Sequence, residues 1–302
     1  MWRIVAADNP LVTDVNAHLL LVKGKMVRPT LLLLAANVDG KPEARANTLA
    51  AVAELIHLAT LVHDDAVDHS VMRRGRPTIN ALFSHQVSVI MGDFLYSRAL
   101  SELVRVGDME PIAVFTAASN ALTLGEMRQL AALDALAFSE ADYDMLIESK
   151  TASLFAAACE VGSLCGALRF RKQLTRFGQR LGMAFQVADD LIDYTEAQET
   201  TGKPTGLDLR EHKVTLPLIA ALRTMSPTAR GRVDTLFANP DPDDAIIAEV
   251  VEIVRDQGGL EYARRRGEDF AQEAEEALAE LPDSPYRSSL AETISYVMDR
   301  RS

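Results

Sequence analysis

Two apolar segments of the chain end in the same acidic pattern, and any fold must place both ends where charge is tolerated. The first runs over 49–62 without Gly or Pro, which predicts a buried helix, and leads into Asp64, Asp65 and Asp68. On an α-helix Asp64 and Asp68 lie one turn apart on the same face. Like charges at this spacing repel by roughly 0.2–0.5 kcal/mol even when exposed. We therefore expect a cation to bind at this helix end.

The second segment repeats the pattern, because Phe185–Asp193 carries Asp189, Asp190 and Asp193 after an apolar stretch. Hard oxygen ligands in this number suit Mg²⁺, which usually keeps several waters and is shared with substrate phosphates. The pair of motifs therefore predicts a diphosphate held between two metal-binding helix ends.

The charge balance excludes some functions. Lys and Arg number 31 against 43 Asp and Glu, and the net charge of −12 argues against a nucleic-acid partner and against attraction to anionic lipid. Cys159 and Cys165 lie in an apolar, small-residue segment without metal-ligand neighbours, so we expect buried structural thiols.

No targeting or membrane segment is predicted. The N-terminus lacks a basic region followed by an apolar core, and no uncharged apolar run reaches the roughly 18 residues that span a bilayer. We expect a cytoplasmic protein that is not integral to a membrane.

The whole chain reads as helical. Apolar residues recur at helical spacing over 82–103, 112–133 and 246–281, and no segment shows sustained period-two alternation, so we predict no sheet. No linker interrupts the pattern, and the two acidic motifs need each other. We therefore predict an all-α fold and a single domain over residues 1–302.

Isolated cations mark further candidate sites. Lys25 and Arg28 lie where a helix begins, and backbone N–H groups there already favour an anion, although a solvated basic turn is the alternative. Lys150 breaks an apolar run, so it either meets an anion or extends to solvent from the helix edge. Lys203 and Lys213 are the mobile cations of a loop rich in Gly and Pro.

Taken together, these motifs resemble the trans-isoprenyl diphosphate synthases, the polyprenyl synthetase family, from about Gly24 to the C-terminus. Two Asp-Asp-x-x-Asp motifs, each with its flanking cations in the family's order, are far more specific than one. The segments that carry the likeness are Gly24–Pro29, the His57 helix, Asp64–Gly75, Lys150–Thr151, Phe185–Asp193 and Gly202–Pro217. The resemblance implies the isoprenoid synthase fold, a helical bundle around a deep central cavity.

The resemblance also implies a role for each motif residue. Carboxylates of both motifs would bind about three Mg²⁺ ions, which hold the allylic diphosphate. The residues matching these ligands are Asp64, Asp65, Asp68, Asp189, Asp190 and Asp193. Positions that contact the same diphosphate are Arg73, Lys150 and Lys203, and those that hold the diphosphate of isopentenyl diphosphate are Lys25, Arg28, His57 and Arg74. Thr151 and Gln186 would turn dipoles toward the developing carbocation, and Lys213 is a further candidate for substrate binding.

The implied reaction condenses isopentenyl diphosphate with an allylic diphosphate to give an all-trans polyprenyl diphosphate. Preorganised Mg²⁺, Lys and Arg stabilise the charge that develops on the leaving diphosphate. The nucleophile is the double bond of isopentenyl diphosphate, so no Ser-His-Asp set or nucleophilic Cys is needed. The resemblance further implies a homodimer, for which the helix over 87–100 is a candidate interface.

Small residues before the first Asp bear on product length. In the family the prenyl tail grows beside this helix, and here the relevant positions are Thr60, Ala59, Ile56 and Ala53, without an aromatic plug. Because small side chains leave room in a packed interior, we expect a product of about six to ten isoprene units. The alternative is that a residue of a neighbouring helix, for example Met91 or Phe94, closes the end of the cavity in which the tail grows.

Other functions remain open at this point. A short-chain synthase or the catalytic subunit of a heteromeric synthase would share these motifs. A terpene cyclase would normally carry a different second metal motif and has no use for a second diphosphate site. A metal-dependent phosphohydrolase could use His63 and Asp64, but the six histidines are not arranged to supply its other ligands.

Overall fold

The computed structural model describes residues 1–21, 24–73, 75–131, 135–195 and 206–299. These residues are almost entirely helical. The α-helices are α1 Trp2–Val5, α2 Pro10–Leu21, α3 Val27–Asn37, α4 Arg45–Val67, α5 Ile79–Leu82, α6 His85–Val106, α7 Met109–Ala131, α8 Glu140–Ile147, α9 Ser153–Leu164, α10 Arg171–Thr195, α11 Leu207–Arg210, α12 Leu216–Leu222, α13 Pro227–Ala238, α14 Asp244–Asp256, α15 Gly259–Leu278 and α16 Pro285–Met298.

Shorter elements complete the chain. Two 3₁₀ turns span Ala135–Ala137 and Leu168–Phe170, and a π-helical segment, Glu148–Ala152, joins α8 to α9. One small antiparallel sheet pairs β1, Met72–Arg73, with β2, Arg76–Pro77. The prediction of no sheet was therefore wrong at this hairpin, because two-residue strands are too short to show an alternating pattern. The predicted all-α class is confirmed.

The helices form two compact units. The first unit comprises residues 1–119, 154–178 and 281–290, and the second comprises 120–153, 179–280 and 291–302. The prediction of a single domain stays a prediction.

The first unit is built on α4. This helix packs mainly against α6 and α3, and its Val52, Leu55 and Ile56 side chains are almost completely buried. At Gly92 of α6 a Cβ would lie 2.3 Å from Nε2 of His63, so only glycine allows this approach. The hydroxyl of buried Ser88 donates to the carbonyl of Val62 at 3.2 Å. The acidic end of α4 is thus fixed against α6.

The second unit is centred on α12, whose Leu216–Ala221 residues are all buried. This short helix packs against α15, α14 and α8. The carboxyl-terminal half of α10 belongs to the same unit and buries Val187 and Tyr194. The second acidic motif therefore lies on a helix anchored by apolar packing on both sides of the charges.

Helix α4 is also relevant to membrane association. Among the described residues it is the one helix long and apolar enough to cross a bilayer. Of its apolar 18-residue stretch, 56% is buried inside the protein. Buried core helices share this composition, so the feature is weak grounds for a membrane span.

Candidate active site

The first acidic motif lies where α4 ends. The N–H of Asp68 donates to the carbonyl of Asp64 at 2.8 Å, and His69 then adopts a left-handed conformation with φ of 51°. Asp64 is half-buried, Asp65 is buried and Asp68 is exposed. The three carboxylates thus differ in their access to solvent although they are close in sequence.

A tight hairpin brings Arg73 back to this helix end. The turn between β1 and β2 contains Gly75 at φ of 71°, a conformation that L residues rarely adopt. Thr78 anchors the hairpin, because its hydroxyl donates to the carbonyl of Ser70 at 2.7 Å and accepts from the N–H of Ala81. In this position Arg73 Nε donates to Asp65 Oδ1 at 2.7 Å.

Burial and Arg73 have opposite effects on the pKa of the Asp65 carboxyl. Burial raises the pKa of the Asp65 carboxyl, and the nearby Arg73 lowers it without cancelling the effect of burial. One oxygen of Asp65 accepts from a protein donor, and Arg73 is about one-third exposed. Arg73 therefore holds a buried carboxylate and still presents part of its guanidinium to solvent.

An open cavity lies beside α4 within the first unit. Its walls include the apolar side chains of Leu19, Leu58 and Leu61, and its polar lining includes His57 and Arg73. A cavity with apolar walls and a few convergent polar groups is typical of a small-molecule site.

The predicted basic turn belongs to the same unit. Gly24 lines the cavity, Lys25 is exposed and precedes α3, and Arg28 lies in the first turn of that helix. The guanidinium of Arg28 stacks on the ring of Phe155 at 4.8 Å from the ring centroid. The structure thus fixes Arg28 by its planar face, a contact that lysine would not make as well.

The predicted chain-length residues lie along one side of α4. Ala53, Ile56 and Ala59 are buried, while Thr60 is half-buried and its hydroxyl donates to the carbonyl of His57 at 2.7 Å. They are not among the residues lining the cavity beside α4. The alternative candidate Met91 is 3% exposed and belongs to the same hydrophobic cluster.

In the second unit, Lys150 and Thr151 lie in the π-helical segment. Such i→i+5 turns are rare and frequently occur at functional sites. Lys150 Nζ lies 2.6 Å from Glu126 Oε1 and 3.4 Å from Gln129 Oε1. Lys150 therefore meets an anion, as expected, and this anion is a carboxylate of the protein itself. The sequence did not identify Glu126 as its partner.

Thr151 and the second acidic motif are joined by hydrogen bonds. The Thr151 hydroxyl donates to Gln186 Oε1 at 2.6 Å, and Gln186 Nε2 donates to Asp190 Oδ1 at 2.8 Å. The Tyr143 hydroxyl donates to Asp190 Oδ2 at 2.6 Å. Burial raises the pKa of Asp190 to about 7, against the lowering effect of the Tyr143 and Gln186 hydrogen bonds.

The remaining acids of this motif have different surroundings. Asp189 is exposed, and Asp193 is half-buried and accepts from the N–H groups of Leu207 and Asp208 at 3.1 Å each. Loss of hydration, followed by repulsion from Asp190 and Asp193, raises the pKa of the Asp208 carboxyl well above its usual value. Asp208 is a further acid of this region that the motif pattern did not include.

The remaining predicted cations are Lys213, Arg74 and Lys203. Lys213 lies after α11, where its Nζ is 2.6 Å from Glu211 Oε2 and its N–H donates to the carbonyl of Asp208. Arg74 and Lys203 lie outside the described residues, so their predicted contacts with diphosphate stay predictions.

The donor set fits a hard divalent cation. Within the described ranges, no group of three His, Cys, Asp or Glu side chains already converges as a metal site. Mg²⁺ binds through one or two carboxylates and completes its shell with water and substrate phosphate, so prior convergence is not required. Asp64, Asp68, Asp189 and Asp193 supply oxygen ligands only, which is the chemistry that Mg²⁺ prefers.

Comparison with known proteins agrees with this arrangement. The polyprenyl synthetase family model matches residues 9–254. The chain belongs to this family. It is 39% identical over 298 residues to the all-trans-nonaprenyl-diphosphate synthase (geranyl-diphosphate specific) of Rhodobacter capsulatus, covering 98% of this chain and 91% of that protein. It is 38% identical to the octaprenyl diphosphate synthase of Escherichia coli K12, covering 94% of this chain and 88% of the relative.

A solved structure supports the fold in detail. The polyprenyl synthase of Caulobacter crescentus CB15, complexed with calcium and isoprenyl diphosphate, superimposes with a TM-score of 0.94 at 34% identity, over 99% of this chain and 92% of that one. The predicted family, isoprenoid synthase fold and prenyltransferase class are thereby confirmed.

Proposed function

We propose that the protein is a Mg²⁺-dependent polyprenyl diphosphate synthase, which condenses isopentenyl diphosphate with an allylic diphosphate and makes all-trans products longer than farnesyl. One observation carries the proposal. Similarity to a nonaprenyl diphosphate synthase extends over 98% of the chain, and both acidic motifs lie on helices within that span.

The acidic motifs are the proposed metal ligands. When bound, Mg²⁺ supplies positive charge where negative charge develops on the departing diphosphate. Exposed Asp68 and Asp189 and half-buried Asp64 and Asp193 have carboxylates within reach of solvent. The calcium in the Caulobacter crescentus structure supports divalent binding in the family.

The reaction begins with cleavage of the allylic C–O bond, whose electron pair leaves with the diphosphate. Arg73 and Lys150 are the described cations proposed to bind the oxygens that gain this charge, and Lys203 is proposed to assist them. Lys150 is held by Glu126 at 2.6 Å, so its ammonium is positioned before the substrate binds. Positioned charges of this kind cost little reorganisation during the reaction.

The allylic carbon is left with positive charge. We propose that oxygen dipoles of Thr151 and Gln186 stabilise it, because the two side chains are already hydrogen-bonded at 2.6 Å. The double bond of isopentenyl diphosphate then attacks this carbon, and a new C–C bond forms. The resulting cation loses a proton to the departed diphosphate, which restores a double bond and balances charge.

Isopentenyl diphosphate is proposed to bind on the first unit. Lys25, Arg28 and His57 would hold its diphosphate together with Arg74. Gly24 and His57 line the cavity beside α4. Lys213 is proposed as an accessory cation for the allylic substrate.

The product length follows from α4 and from the relatives. Ala53, Ile56, Ala59 and Thr60 put no aromatic group on their side of the helix. The names of the relatives specify octaprenyl and nonaprenyl products. A short-chain synthase is the alternative that product analysis distinguishes.

A homodimer is proposed as the functional assembly. On α6, within the predicted interface over 87–100, the neighbouring residues Val89 and Ile90 are 38% and 66% exposed. Exposed apolar side chains next to one another support an interface at this position. The cytoplasmic location stays a prediction.

The test is incubation of purified protein with Mg²⁺, isopentenyl diphosphate and, separately, dimethylallyl, geranyl or farnesyl diphosphate. We expect mass spectrometry to show products longer than farnesyl, and no product when EDTA replaces Mg²⁺. Lack of elongation with every primer would contradict the proposal, and products of three or four isoprene units would favour the short-chain alternative.

A further inference from the structure

Both oxygens of the Asp190 carboxylate accept hydrogen bonds from protein donors. Asp190 is 5% exposed, and its Oδ1 and Oδ2 accept from Gln186 Nε2 at 2.8 Å and from the Tyr143 hydroxyl at 2.6 Å. Tyr143 itself is 1% exposed. Asp189, the adjacent acid of the same motif, is exposed. Two neighbouring carboxylates with the same motif assignment therefore have opposite surroundings.

The direction of the hydrogen bonds gives this difference a consequence. Both oxygens of Asp190 accept, so Gln186 turns its NH₂ group toward Asp190 and its carbonyl oxygen toward Thr151. The Thr151 hydroxyl donates its single hydrogen to Gln186 Oε1 at 2.6 Å. The Thr151 hydroxyl can therefore interact with a further group only through its lone pairs.

Tyr143 and Thr151 reach the same partner helix because of the π-helical segment between them. An uninterrupted α-helix would rotate Thr151 by about 80° relative to Tyr143 over eight residues. The wider i→i+5 turn of Glu148–Ala152 reduces that angle. Tyr143 is held at the start of α8 by the capping box of Ser139 and Asp142. The segment therefore presents both hydroxyls to α10.

We infer that Tyr143 and Asp190 are positioning residues, which fix the Gln186 amide and thereby aim the Thr151 oxygen at the allylic cation. This inference rests on the proposed function and refines it. In the second acidic motif the metal-binding role then belongs to Asp189 and Asp193, and Asp190 serves the Tyr143–Asp190–Gln186–Thr151 chain of hydrogen bonds.

The test compares Tyr143→Phe and Asp190→Asn with Asp189→Asn. For each purified variant, kcat, the KM of geranyl and isopentenyl diphosphates, and the half-saturating Mg²⁺ concentration are measured, and folding is checked by circular dichroism. We expect Tyr143→Phe and Asp190→Asn to lower kcat about 10-fold to 100-fold, as loss of a hydrogen bond to a charged group does. Both KM values and the Mg²⁺ requirement should stay within about 2-fold.

Asp189→Asn is the metal-ligand comparator and should raise the half-saturating Mg²⁺ concentration at least about 10-fold. A rise of the same size for Asp190→Asn would overturn the inference. If Asp190→Asn does not fold, Tyr143→Phe still decides, because it keeps the ring and removes only the hydroxyl; a normal kcat for this variant would overturn the inference. A wild-type enzyme that elongates no primer would instead contradict the proposed function.

Discussion

Replacing Thr151 by valine tests the proposed stabilisation of the carbocation most directly. The two side chains have nearly the same shape, and Thr151 is 8% exposed, so the change removes a hydroxyl with little change in volume. It also removes the 2.6 Å hydrogen bond to Gln186 Oε1. The loss from the folded state should be about 0.5–1.5 kcal/mol, the usual net contribution of one hydrogen bond, because Gln186 is half-buried and can bind water instead.

The loss of transition-state stabilisation is expected to lower kcat. An oxygen dipole directed at the cation should contribute about as much as a hydrogen bond to a charged group, about 1.5–3 kcal/mol, which corresponds to roughly a 10-fold to 150-fold decrease in kcat. Because the positive charge exists only after the C–O bond breaks, the KM of the allylic substrate should not change.

The assay is steady-state condensation of geranyl diphosphate with isopentenyl diphosphate at saturating Mg²⁺. Thr151→Ser is the matched control, since it keeps the hydroxyl, and its kcat should stay within about 5-fold of wild type. The reasoning is refuted if Thr151→Val raises KM at constant kcat, or if serine and valine are equally damaging.

Three further predictions concern other parts of the chain. Ala59→Phe should shorten the products seen by mass spectrometry, because a ring placed at this buried position fills space beside α4; unchanged lengths would show that another residue sets the floor. Lys150→Ala should raise the KM of the allylic diphosphate about 10-fold or more through the lost charge, whereas the same change at exposed Lys172 should leave KM unaltered. Burial raises the pKa of the Cys165 thiol to about 11, so at pH 8 only about 0.1% of it is thiolate; iodoacetamide should therefore label Cys159 and Cys165 only after unfolding, and rapid labelling of native protein would contradict their burial.

Much of the fold was predictable because its signals are local. Helical periodicity located the main helices. The buried thiols followed from the apolar surroundings of Cys159 and Cys165. These features depend on residues that are near one another in sequence.

The parts that were not predicted depend on distant partners. Tyr143 finds Asp190 47 residues further along the chain, and no periodic pattern identifies that pair. Glu126 reaches Lys150 from α7, and the i→i+5 bonds of the π-helical segment do not follow from any local propensity. The sequence placed Asp189 and Asp190 in one motif and could not separate the exposed acid from the buried one.

The close approach of α6 to α4 has a consequence for the first acidic motif. Since a side chain at Gly92 would collide with the ring of His63, the residue before Asp64, a larger residue at Gly92 would disturb the helix end that carries the first acids. The geometry of the first acidic motif therefore depends on the identity of one residue of α6 that bears no charge.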